Sequence, residues 1–417
     1  MTVITVVANP GHRRVVGFDA AARAAGLPAP RVVPWEDVLR GVQPAFAAGP
    51  VRIDSPGENP VVHALLGGPS DPHRVEGGAV RHATFVRALE RVRTAVAATP
   101  GAWLVNDPDD IAVMFDKPRA HGRLHDAGVP VPPGLGAEGR GVTVRSYTHL
   151  RDLMRDTRRP RVFVKPAHGS SASGVVALET SGTRVQATTS TELVRTASGI
   201  ELFNSLRVRK YRDEEDVAAL IDALCADGVH IETWLPKLTL DGLAVDLRVL
   251  VVAGRATHVV ARGSRTPMTN LHLGNTRVDV DAVRRAVGAA AWEEAMTTCV
   301  RAAECFPRTL HVGVDLLFAV DRRRHAVGEV NAFGDLLPGV LHRGRDTWAE
   351  QIRALVDGRH PPARPRQAGR ETSDRETPTR EAAHLQAPDR EATDREAPDH
   401  EIPNRETPDG ERLPCPN

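Results

Sequence analysis

Apolar positions come first in short blocks separated by helical spacing. Val3–Ala8 reads as a strand and Asn9–His12 as a turn, and Val15–Ala25 carries a helical pattern stopped by Gly26. Arg31–Val33 and Ala102–Val105 read as further strands, with helical stretches such as Arg81–Ala97 between them. Strands alternating with helices predict a small parallel-sheet α/β domain over residues 1–115. The first apolar run has no basic segment ahead of it, so it is expected to be a strand and not a signal peptide.

From Asp116 the pattern becomes denser. Asp116-Lys117-Pro118 offers an N-cap acid and a first-turn proline to a helix over Arg119–Ala127, which Gly128 ends. Arg161–Pro166 and Val175–Leu178 read as strands joined by Ala167–Gly174. That loop is longer than the roughly two to five residues of common hairpins, and its small, hydroxyl-rich composition suits a flap that offers N–H groups to phosphates. The amphipathic helix Asp213–Ala226 leads into the strand Val229–Leu235. Its abrupt stop at Pro236 leaves backbone groups for an adenine edge, with Trp234 and Leu235 as apolar walls.

Val245–Val252 alternates charged with apolar residues, so Asp246 and Arg248 share a strand face. The next strand carries Arg262, and Thr269–Asn275 is a polar loop. His311–Val320 and Ala326–Ala332 are strands flanking the basic turn Asp321–Arg324, and Glu329 and Asn331 point the same way. An even loop closed at Val320 and His325 would pair Asp315 with Val330 and turn it away from both. An odd loop or a bulge is therefore expected, aligning Asp315 with Glu329 or Asn331. Three oxygen donors on one face of apolar strands suit Mg²⁺.

Of the 54 basic side chains only four are lysines, and two of these sit in similar settings, Asp116-Lys117-Pro118 and Val164-Lys165-Pro166. Lysine is a compact point charge on a flexible stem, suited to reaching a phosphate in a narrow cleft where a wide guanidinium fits poorly. At 417 residues and 41% hydrophobic the chain is long enough for two or three domains, while a net charge of +1 gives no general case for nucleic acid or membrane partners. Aromatics at 4% also weaken a base-stacking platform. The four cysteines form no C-x-x-C pair, and no stretch is apolar for the ~20 residues a membrane helix needs. A soluble cytoplasmic protein is expected. Beyond Arg370 a five-residue unit recurs, such as Arg-Glu-Thr-Pro-Thr and Arg-Glu-Ala-Pro-Asp. It matches neither helix nor strand period, so residues 358–417 are expected to be a disordered, charge-balanced tail.

In their order, Asp116-Lys117-Pro118, Val164-Lys165-Pro166, the Gly169–Gly174 loop, Ile231–Leu235, Asp246-Leu247-Arg248, Arg262, Asn270–Gly274, Val314–Leu317 and Gly328–Asn331 form a series. This series resembles the ATP-grasp superfamily, in the branch of ribosomal-protein glutamate ligase and glutathione synthetase, over about residues 100–345. The resemblance implies an α/β (α+β) chain with an ATP-grasp domain at 116–357, whose part 160–235 covers the nucleotide. It implies that Lys117 and Lys165 bind ATP phosphates and that Glu232, Thr233, Trp234 and Leu235 hold adenine. Gly169, Ser170, Ser171, Gly174, Lys237, Asp246, Asn270 and His272 complete the nucleotide site. Asp315, Glu329 and Asn331 would bind two Mg²⁺, with Mn²⁺ as a substitute, and Arg248 and Arg262 would stand by an acyl-phosphate. The implied activity is an ADP-forming carboxylate–amine or carboxylate–thiol ligase acting on small molecules, compatible with a homodimer. The stretch Thr180–Arg212 is longer and more polar than the family pattern and does not align with it, and no substrate-selecting signature is matched. Two rival readings are a small-molecule kinase on the same fold and a non-catalytic nucleotide-binding scaffold. The scaffold would be marked by loss of a phosphate lysine or metal ligand, and none is lost.

Overall fold

The computed structural model describes residues 3–136, 139, 141–169, 172–269 and 274–359. In the first sheet β1 (Thr5–Ala8), β2 (Arg31–Pro34), β3 (Gly49–Ile53) and β4 (Ala102–Leu104) run parallel in the order β2-β1-β3-β4. The chain leaves β1 toward one neighbour and returns to the other, which makes a topological switch between β1 and β3. The helix Arg13–Ala24 starts straight after β1, with the His12 ring accepting from the Arg14 N–H at 3.3 Å. This start is two residues earlier than the apolar spacing predicts, because the cap and not the first valine sets it.

A second, antiparallel sheet contains β5 (Arg161–Pro166), β6 (Val176–Ser181), β7 (Arg184–Thr196), β8 (Gly199–Tyr211) and β9 (Val229–Thr233), in the order β8-β7-β6-β5-β9. The unmatched stretch Thr180–Arg212 is thus mostly a long hairpin of two 13-residue strands. One face of this sheet packs Val162, Val164 and Leu178 against Leu150 and Met154 of the helix Tyr147–Asp156 and Leu220 and Leu224 of the helix Glu214–Ala226. The other face carries Phe163, Lys165 and Glu232.

The third sheet is six-stranded and antiparallel. It comprises β10 (Thr239–Leu240), β11 (Leu243–Val252), β12 (Arg255–Ser264), β13 (Thr276–Val278), β14 (His311–Phe318) and β15 (His325–Asn331), ordered β13-β12-β11-β14-β15 with β10 on β11. Leu247, Val249, Val314, Leu316 and Val330 face the helix Ala289–Glu304, packing with Trp292, Ala295 and Cys299 in the largest core. Burying each such side chain stabilises by roughly 1.5–3 kcal/mol, so a one-residue slip of any strand would cost several of these contacts at once. The alternate residues Asp246, Arg248, Arg262, Asp315, Glu329 and Asn331 are thereby committed to the opposite face. Asp315 pairs with Glu329 while Leu316 pairs with Val327, so Gly328 is the extra residue of a bulge. This is the irregularity that the oxygen donors require.

Beyond β15, Asp335 is fully buried and receives Arg14 Nη1 at 2.6 Å, Arg52 Nη2 at 2.7 Å and Gln351 Nε2 at 3.0 Å. It ties the parallel sheet to the last helix, Thr347–Val356. Gly358 and Arg359 close that helix, donating to Leu355 O and Ala354 O, so the expected tail boundary at 358 is two residues early. The rest of the tail lies outside the described residues. Among the described residues no helix is long and apolar enough to cross a membrane.

Candidate active site

Two adjoining cavities open on the charged face of the third sheet. The first has a volume of about 120 Å³ and lies between β5, β9 and that face. Three of the chain's four lysines line it, Lys117, Lys165 and Lys237. Lys117 is the first residue of the helix Lys117–Asp126, whose N-cap Asp116 accepts from Arg119 N at 3.0 Å. Its ammonium reaches Gly169 O and lies 3.1 Å from Glu329 Oε1. Lys165 projects from β5 into an ion pair with Glu232 and lies 3.4 Å from Gly328 O. Burial alone would raise the Glu232 carboxyl, but Lys165 and His230 outweigh it and hold it at about 2. Lys237 donates to Thr269 Oγ1 at 2.8 Å and Pro267 O at 3.1 Å, and burial pulls its pKa down despite Asp246 at 3.5 Å.

The paired carboxylates and arginines alternate across the sheet. Asp246 takes Arg262 Nε at 2.7 Å as well as the Thr269 hydroxyl. Asp315 is gripped by Arg248 and lies 3.2 Å from Arg262 Nη2. Burial would raise Asp315, and the two guanidiniums reverse this and hold it far below the ordinary carboxylate range. Arg262, Glu329, Pro166, Gly169 and Ser173 border both cavities. Arg248 and Asn331 line only the second, which has a volume of about 680 Å³.

Among the described residues no cluster of three His, Cys, Asp or Glu side chains forms a ready metal cage. Asp315, Glu329 and Asn331 nevertheless fit Mg²⁺. They offer hard oxygen donors on one strand face, of the type Mg²⁺ takes, with Arg248 and Arg262 on Asp315 and Lys117 on Glu329 as their partners within the protein.

Not every expected residue reaches the cleft. Thr233, Trp234 and Leu235 are not among its lining; Trp234 instead packs behind Phe163, ring centroids 5.2 Å apart. Gly174 lies beside it with φ +72°, where a Cβ would come 2.5 Å from Pro166. Ser170, Ser171, Asn270 and His272 lie outside the described residues. The apolar walls are Phe163, Val175, Met268 and Leu317, none of them singled out from the sequence. Two had a readable signal, since Phe163 stands two before Lys165 and Leu317 two after Asp315, on the same strand faces.

No family model and no curated protein matches the chain by sequence. Solved structures resemble it in fold. D-cycloserine synthetase DcsG is 16% identical with a TM-score of 0.50, over 86% of this chain and 99% of its own. The ATP-grasp ligase PsnB, complexed with a phosphomimetic variant of its minimal precursor, Mg and ADP, is 18% identical with a TM-score of 0.49, over 86% and 99%. D-alanine–D-alanine ligase from Bacillus anthracis, complexed with ATP, is 10% identical with a TM-score of 0.46, over 86% and 96%. A parallel sheet is followed by two antiparallel sheets with the first cavity between them, and the chain adopts the ATP-grasp fold.

Proposed function

We propose that the protein is an ATP-dependent ligase that activates a carboxylate as an acyl-phosphate and passes it to an amine or thiol, releasing ADP and phosphate. The observation that carries this reading is the meeting of the two cavities at Arg262 and Glu329. A nucleotide in the first would end where an acid in the second begins. Lys117 and Lys165 are placed to hold phosphate oxygens, and Phe163, Val175, Met268 and Leu317 to enclose a base. Asp315, Glu329 and Asn331 would hold Mg²⁺, which when bound neutralises phosphate charge.

Asp246 anchors the Nε side of Arg262 and Asp315 lies 3.2 Å from its Nη2, which together fix the guanidinium nitrogens at the border of the two cavities. There they offset the charge that develops as a carboxylate oxygen attacks the γ-phosphorus and ADP departs. The nucleophile then attacks the acyl carbon and phosphate leaves, with the nucleophile's proton passing to solvent or base. The ion pair Lys117–Glu329 ties the start of the helix Lys117–Asp126 to β15 across the first cavity, whose volume of about 120 Å³ lies below the ~300–1,000 Å³ of usual ligand pockets. Phosphates would take over the lysines.

Hydroxylamine trapping tests the proposal. With ATP, Mg²⁺ and a panel of small acids, an acyl-phosphate yields a hydroxamate together with ADP. A kinase acting on a hydroxyl yields ADP and no hydroxamate, and the absence of both products refutes catalysis on these substrates.

A further inference from the structure

The second cavity has more positive charge than acyl activation uses. It sits at the switch point of the parallel sheet, where the loops after β1 and β3 diverge, and Asn9 Nδ2 links them by donating to Pro56 O at 3.0 Å and Gly57 O at 2.9 Å. Its lining includes seven arginines but only two carboxylates, Glu58 and Glu329. Both carboxylates are engaged, Glu58 by Arg13 at 2.6 Å and His12 at 3.0 Å, and Glu329 by Lys117 at 3.1 Å.

Most of these arginines have acidic partners of their own. Arg81 does not: among the described residues no carboxylate reaches it at ion-pair distance, and its guanidinium donates to Glu76 O at 2.9 Å. The two nearest acids are committed elsewhere. Glu76 holds Arg74 at 2.9 Å and accepts from Leu202 N at 2.7 Å, while Asp227 accepts from Gly78 N at 2.6 Å and Ala79 N at 3.3 Å.

The seat of Arg81 is built. A Cβ at Gly68 would come 2.8 Å from its Nη1 and one at Gly77 3.1 Å, and both glycines have positive φ. Beside it, His63 Nε2 is buried without a hydrogen-bond partner. Both side chains line the cavity; burial lowers the pKa of each, and Arg81 lowers that of His63 further against the opposing pull of the Pro69 backbone, so the ring is held toward its neutral form. A half-buried guanidinium that lines a cavity and, among the described residues, has no carboxylate at ion-pair distance is a site for an anion.

We infer that the acid activated here carries a second negative group, a carboxylate or a phosphate, and that Arg81 binds it while Arg262 receives the carboxylate that reacts. The inference rests on the ligase reading for the fate of the first carboxylate. The anion site itself stands on the cavity.

The test is calorimetric titration of the full chain, with Mg²⁺ and a non-hydrolysable ATP analogue present. The probes are the dicarboxylates succinate through suberate, 3-phosphoglycerate, and the monocarboxylates butyrate through octanoate. At least one doubly charged acid is expected to bind about tenfold or more tighter than the monoacid of matching length, and Arg81→Met is expected to remove that advantage. The better arm distinguishes carboxylate from phosphate. Equal binding of singly and doubly charged acids by the wild type, no binding of any, or an advantage that survives in a folded Arg81→Met variant overturns the inference. ADP release measured on the same acids separates the two claims. A charge preference without ADP release counts against the ligase reading alone, and ADP release indifferent to the second charge counts against the anion site alone.

Discussion

Glu232 and Lys165 form a buried pair whose members need each other. The carboxyl is held at about 2, below its ordinary ~4.3, so its contribution to stability is complete above the ordinary value and is lost as pH falls toward about 2. Lys165→Met should cost on the order of 3 kcal/mol in urea unfolding at neutral pH, because it strands a buried carboxylate. Adding Glu232→Gln should recover most of that loss, and a double mutant no more stable than the single one would show that the cost lies elsewhere. Glu329 behaves differently. Its side chain is 32% exposed in the pair with Lys117, a setting in which pairs contribute about 0–1 kcal/mol. Glu329→Gln should therefore abolish ADP release while leaving the melting temperature nearly unchanged; undiminished ATP turnover would remove Glu329 from the metal site.

At the scale of elements, β14 and β15 place the acids through the Gly328 bulge and through a close approach of two glycines. Gly313 stands opposite Asn331, and a Cβ on it would come 2.6 Å from the Gly334 Cα. Gly313→Ala should destabilise by about 1–3 kcal/mol and lower activity further by displacing the segment after Asn331, measured by urea unfolding and ADP release. The bulge was legible because alternation within an apolar strand leaves an acid only one tolerable side. β3 was not: its Gly49-Pro50-Val51-Arg52-Ile53 run carries a proline and a charged residue that is 1% exposed. The partner that makes Arg52 tolerable there, Asp335, lies 283 residues away. Met268 was hidden for a similar reason, although the polar loop that starts at Thr269 stood out. Met268 belongs to a loop without periodicity, and only folding brings it to the cavity wall and its neighbour Thr269 onto Lys237 and Asp246.

For the whole molecule, Asp335 links the parallel sheet, the segment after β15 and the last helix. Burial would raise its carboxyl, but Arg52, His311 and Arg14 hold it well below the usual range, so this support is present at neutral pH and is withdrawn in acid. Asp335→Ala should cost about 3–5 kcal/mol, leaving the buried Arg14 and Arg52 with only Asp54, at 3.8 and 3.6 Å, as a carboxylate partner. Removing residues 360–417 should change neither stability nor ADP release. The central claim is that Lys117, Lys165 and the acids of β14 and β15 surround one magnesium-bound triphosphate. Calorimetric titration of a non-hydrolysable ATP analogue into the wild type and into Lys117→Met, with and without Mg²⁺, tests it most directly. The account predicts magnesium-dependent binding to the wild type and roughly 10–100-fold weaker binding to the variant. Binding indifferent to both the lysine and the metal would contradict it.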